Sequence, residues 1–211
     1  RPEESTPLLV LALEEEQPEI ARLLLEKGAD ITAKGYEGTV LIAASQHGYL
    51  DFARLYLEKG GDIEEVGHMG ASALSWASGR GHLDMVKFLV EQGADIESGD
   101  DTGRSALLEA SLGGHLNIVK YLLSQGAYLH ATTKDGSTAL ILASYGGHFP
   151  VVQWLIESGA DTESRDQNGM TALDYAREFK QKKYAHDSKY QEHESKYQRI
   201  ETRTERRKKE Y

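Results

Sequence analysis

A chain of 211 residues without a cysteine can form neither disulfides nor thiolate metal sites. Its formal charge of −10 is unevenly spread: residues 1–176 hold 12 Lys/Arg against 27 Asp/Glu, and residues 177–211 hold 12 against 7. The acidic body lacks the cations that phosphate contacts need, which argues against nucleic-acid binding there, and no apolar run approaches the ~18 residues of a membrane span.

Taken in chain order, Thr6-Pro7-Leu8 opens a first unit, with Pro7 at a helix start where its missing N–H costs nothing. A short helix over Leu8 to Leu13 leads into the acidic loop Glu14-Glu15-Glu16. A second helix, about Pro18 to Lys27, sets Ile20, Leu23 and Leu24 on one face and ends at Gly28. The next unit is irregular: Gly28 to Thr39 is one residue shorter than Gly126 to Thr138, so the finger Lys34-Gly35-Tyr36-Glu37-Gly38 is expected to have a differently shaped tip. Its helices are expected over Thr39 to Gln46 and Leu50 to Lys59.

Three units then run in register. Ser72-Ala73-Leu74, Ser105-Ala106-Leu107 and Thr138-Ala139-Leu140 each lead to Gly-His (Gly81-His82, Gly114-His115, Gly147-His148). Met85-Val86, Ile118-Val119 and Val151-Val152 follow, and the units close at Gly93, Gly126 and Gly159, 33 residues apart. Helix pairs are expected at about 72–79 and 83–92, 105–112 and 116–125, and 138–145 and 149–158. Ser72, Ser105 and Thr138 are placed to accept from the free N–H groups of the first turn. Trp76 shares its slot with Ala43 and Leu142 and is expected in the core.

These elements, at this period, resemble ankyrin repeats over roughly residues 6–179. The resemblance implies an all-α solenoid: a stack of helix pairs with short β-hairpin fingers whose usual work is protein binding. It gives an array over 1–179, with about five repeats and a partial sixth as cap, and a charged helical tail over 180–211. The sixth unit begins with Asn168-Gly169-Met170-Thr171-Ala172-Leu173, but Lys180 stands where the repeat glycine belongs. No Gly or Pro follows residue 169, so one helix is expected from about 171 to 205. Its seven-residue internal repeat aligns Tyr190 with Tyr197, too few apolar positions for a coiled coil.

The recurrent histidines His82, His115 and His148 lie too far apart along such a stack to share a metal; each is expected to start a second helix and bond a neighbouring loop backbone. His186 and His193 read as a solvated helix face. Gly99-Asp100-Asp101-Thr102-Gly103-Arg104-Ser105 lacks the lysine of a phosphate loop, and two aspartates would repel phosphate. With no metalloprotease motif, nucleophile elbow or cysteine nucleophile, neither enzyme activity nor a cofactor is expected. The cluster from Arg203 to Lys209 reads as a charged helix end, with nuclear import or a salt-sensitive nucleic-acid contact as alternatives.

Partners of the resembling family usually meet the finger tips and the outer ends of the first helices. Here those positions include His68, Met69, Arg80, Asp101, Arg104, Leu112, Lys134, Tyr145 and Met170. Gly113 and Gly146 fall where side chains are usual, so a bare patch is expected between Leu112 and Tyr145, edged by Arg104 and Lys134. A monomeric cytoplasmic scaffold with one protein partner and no membrane contact is the expected class. The alternative is a targeting or regulatory segment of a larger enzyme or channel.

Overall fold

The computed structural model describes residues 7–35 and 38–184, with side-chain surroundings to residue 179. Helices pair in chain order: α1 (Leu8–Glu14) with α2 (Pro18–Glu26), α3 (Val40–His47) with α4 (Leu50–Glu58), and α5 (Ala73–Arg80) with α6 (Leu83–Glu91). Two more pairs follow, α7 (Ala106–Leu112) with α8 (Leu116–Ser124) and α9 (Ala139–Tyr145) with α10 (Phe149–Glu157). Then α11 (Ala172–Tyr184) begins a sixth unit and runs on without a break. The odd-numbered helices pack side by side as an inner row, and the even-numbered ones back them as an outer row.

Helices of seven to nine residues are too short to persist alone in water, so their stability comes from stacking. The buried set repeats with the period of the sequence: Leu41, Leu74, Leu107 and Leu140 from the inner row, and Val86, Val119, Leu89, Leu122 and Leu155 from the outer. The interior is one continuous layer. At the helix starts, Thr39, Ser72 and Thr138 accept from the N–H of Ile42, Ser75 and Ile141. Ser105 departs from expectation. Its hydroxyl is buried with no hydrogen-bond partner, and the turn before α7 is fixed by Asp100, whose carboxylate accepts from the N–H of Thr102 and Arg104.

The histidines are structural couplings. His82, His115 and His148 stand at the N-caps of α6, α8 and α10, and their Nε2 atoms lie 3.0, 2.9 and 2.8 Å from the carbonyl oxygens of Gln46, Gly79 and Leu112. The partner is thus the last turn of the inner helix of the preceding repeat (α3, α5 and α7) rather than a loop. Each ring also lies on a glycine of the preceding repeat. A Cβ at Gly81, already left-handed at φ 85°, would sit 2.6 Å from the His115 ring, so only glycine fits. In the sixth unit Phe179 lays its ring on Gly147.

The fingers are less regular than hairpins. They close through single bridges, Lys34 with Thr39, Val66 with Ser72 and Thr132 with Thr138, and form no strand among the described residues. The arms are too short to propagate pairing beyond one bridge. The first bridge spans one residue fewer than the other two, as the shorter spacing requires; its tip, residues 36–37, lies outside the described residues. One backbone hydrogen bond per junction ties neighbouring fingers: the N–H groups of Asp101, Lys134 and Gln167 donate to the carbonyls of Met69, Thr102 and Asp135, each at 2.8 Å.

Candidate functional site

A groove of about 550 Å³ opens between the third and fourth fingers and the inner helices α5 and α7, lined among others by Met69, Trp76, Arg80, Arg104 and Glu109. A second hollow of about 420 Å³ continues it toward α9, between Asp101, Lys134 and Leu142. Thr102 and Arg104 line both.

The floor is one slot of the repeat, four residues after the helix cap: Trp76, Glu109 and Leu142 in successive inner helices. Small or aliphatic residues bury there, as Ala43 and Leu142 do. An indole is too large for the gap beside the fingers. Trp76 is therefore half-buried rather than core, and the Arg80 guanidinium lies 5.7 Å from its ring centroid. Its indole N–H is buried without a partner.

Glu109 in the same slot is held by Arg104, whose Nη1 donates to Oε1 at 3.3 Å. Burial pushes the Glu109 carboxyl above its ordinary range, and the adjoining guanidinium only partly offsets this. Neither Glu109 nor Trp76 was predicted as a groove residue, because apolar neighbours in the repeat made the slot look like core.

The third finger differs in its backbone. Gly67 stands where Asp100 and Asp166 organise the fourth and sixth fingers by accepting backbone N–H groups. Thr133 accepts in the same way in the fifth finger. With no side-chain acceptor at Gly67 the third tip folds as a single 3₁₀ turn, His68–Gly70, and Met69 adopts a left-handed conformation at φ 59° that costs an L-residue energy. The Met69 side chain is exposed on the groove wall.

Of the sequence-predicted residues, His68, Met69, Arg80 and Arg104 come together in the first hollow, and Asp101 and Lys134 join Arg104 in the second. Leu112, Tyr145 and Met170 line neither hollow. Leu112 is half-buried and gives its carbonyl to His148, Tyr145 is exposed but packs edge-on against Tyr175 at 5.7 Å, and Met170 is half-buried at the last finger. Gly113 and Gly146, where a bare patch was expected, are half-exposed, and neither has room for a side chain. A Cβ at Gly113 would meet the His115 ring at 2.6 Å and the Gly79 carbonyl at 2.7 Å, and one at Gly146 would meet His148 at 2.5 Å. Those glycines are bare because the neighbouring histidine rings and backbone carbonyls leave no room for a side chain.

Among the described residues no group of three or more His, Asp or Glu is placed to hold a metal, and no helix is long and apolar enough to cross a membrane. His186, His193, the paired tyrosines and the basic cluster lie outside the described residues.

A family model described as ankyrin repeats in three copies matches residues 40–133 and 125–186, and a second, for the single ankyrin repeat, matches residues 3–36. No curated protein matched the chain.

Proposed function

The chain belongs to the ankyrin repeat family, whose repeats are protein–protein interaction modules, and we propose that it is a non-enzymatic recognition module that seats a segment of its partner in the groove between the third and fourth fingers. One observation carries this reading: an aromatic floor, Trp76, lies beneath an exposed methionine and two arginines in a groove of about 550 Å³. Tryptophan and arginine in a desolvated pocket are the side chains that most often dominate binding energy.

The chemistry favours a partner segment with an apolar or aromatic anchor next to an acidic residue. The anchor would displace water from the Trp76 face and the Met69 thioether, and the carboxylate would meet Arg80. The acidic body attracts basic partners at long range, but with a Debye length of about 8 Å at physiological salt the cations lining the groove dominate once contact is made.

The test is affinity capture with three proteins: wild type, Met69→Glu with Arg80→Glu in the groove, and Lys87→Glu on the outer row. Met69, Arg80 and Lys87 are all exposed, so the fold tolerates the changes. The captured partner should be lost with the groove double variant and kept with Lys87→Glu. Equal capture by wild type and the groove variant excludes this surface.

A further inference from the structure

Among the described residues the sixth repeat has an inner helix, α11, but no second helix, and the stack shows where one would lie. In the five complete repeats the second residue of the inner helix (Leu9, Leu41, Leu74, Leu107, Leu140) is no more than 2% exposed. Leu173 holds that slot in α11 and is 56% exposed. The outer row tells the same story. Leu50, Leu83 and Leu116 open α4, α6 and α8 and are half-buried against the core, whereas Phe149, which opens α10, is 71% exposed. Two turns later, Leu57, Val90 and Leu123 are half-buried, while Ile156 is 47% exposed. Three apolar residues on two helices thus lack the same cover: the second helix of the sixth repeat, antiparallel to α11 and beside α10. The sequence shows why α11 does not turn at the usual point. Lys180 replaces the glycine that turns the chain in the other repeats, and α11 continues through the point where α9 stops.

We propose that this end of the stack is a docking site for a single amphipathic helix of a partner protein, laid in the second-helix position that no described residue fills. The existing junctions specify the occupant. Each second helix from α4 to α10 is nine residues long, and each turns an apolar stripe at helical spacing to the core, as α8 does with Ile118, Val119 and Leu122. The docked helix needs that length and stripe, with polar residues outward. A second copy of the chain does not fit. Its open first repeat would bring α1 together with α2, and α11 already holds the place of an inner helix. The chain's own residues 185–211 do not supply the stripe either, since they contain no Gly or Pro to turn back and Ile200 is their one aliphatic residue larger than alanine. The site is separate from the groove: it faces along the stack axis, so both surfaces can be occupied at once.

The probe is a fluorescein-labelled, hydrocarbon-stapled peptide with the sequence of residues 115–127, the second helix of the fourth repeat, titrated with the full chain and read by anisotropy. Saturable binding is expected, weakened about tenfold or more by Leu173→Glu with Phe149→Glu. Both changed positions are exposed, and a thermal melt of the double variant checks that it is folded. Leu8→Glu, at the opposite end, and deletion of residues 185–211 should leave the affinity unchanged. The proposal is overturned by absence of saturable binding, by binding that ignores the double substitution, or by loss on Leu8→Glu instead. A rise in affinity on deleting 185–211 would give the position to the chain's own tail and overturns it equally.

Discussion

Replacing Arg104 by methionine removes a cation and keeps most of its aliphatic stem, leaving Glu109 alone in the groove floor. The side chains are 38% and 22% exposed, so the pair belongs neither with solvated surface pairs, worth up to about 1 kcal/mol, nor with fully buried ones, whose breaking costs about 3–5 kcal/mol. A loss of about 1–3 kcal/mol at pH 7 is expected. The pH dependence separates this electrostatic cost from lost packing. Burial raises the Glu109 pKa in the folded protein, so the folded state holds that proton more tightly than the unfolded chain. Glu109 therefore contributes stability below its unfolded pKa, and that contribution is lost as pH rises through the folded value. Without Arg104, which lowers the folded pKa, the loss must deepen. Urea unfolding of wild type and variant at pH 4 and pH 7 should show a penalty at pH 7 that shrinks below about 1 kcal/mol at pH 4, where Glu109 is mostly protonated in both. Equal penalties at the two pH values would refute the reasoning. Arg104→Glu, which puts two carboxylates at the site, should be worse than Arg104→Met at pH 7.

Other substitutions probe the stack itself. His115→Leu strands the Gly79 carbonyl and should cost about 1–3 kcal/mol in chemical unfolding, with no effect of zinc or chelator on the melting temperature of the wild type. Met69→Gly should stabilise by about 0.5–1 kcal/mol, the left-handed cost of methionine less the extra unfolded-state entropy of glycine, read as a rise in the unfolding midpoint. Lys120→Glu leaves partner capture unchanged but is not silent for stability. Its ammonium lies 4.2 Å from the Trp154 ring centroid, so a loss of about 0.5–1 kcal/mol is expected in thermal or urea melts.

What could be read from the sequence was whatever a repeat writes many times. The period, the helix pairs, the capping at Ser72 and Thr138 and the fixed place of His82, His115 and His148 each recur, and each corresponds to a packing need met within one unit or its neighbour. Features set by a single residue against the pattern were harder. Trp76 and Glu109 share a slot with Ala43 and Leu142, and the rule drawn from those neighbours placed a groove floor in the core. A signal was present: a glutamate in an apolar column, five residues after an arginine. What excludes a side chain at Gly113 and Gly146 was hidden for the opposite reason. Their neighbours, the His115 and His148 rings and the Gly79 and Leu112 carbonyls, come partly from the previous repeat, and local spacing does not reveal them. The departure of the third finger goes with a finger slot, Gly67, that has no side chain to accept a backbone N–H.

The central claim, that partner recognition occurs in the groove over Trp76, is tested most directly by site-specific photo-crosslinking. A photoreactive amino acid replaces Met69 on the groove wall in one protein and Lys87 on the outer row in another, both exposed positions. After irradiation of the assembled complex, a cross-linked partner is expected from position 69, and little or none from position 87. Cross-linking from position 87 with none from position 69 would contradict it.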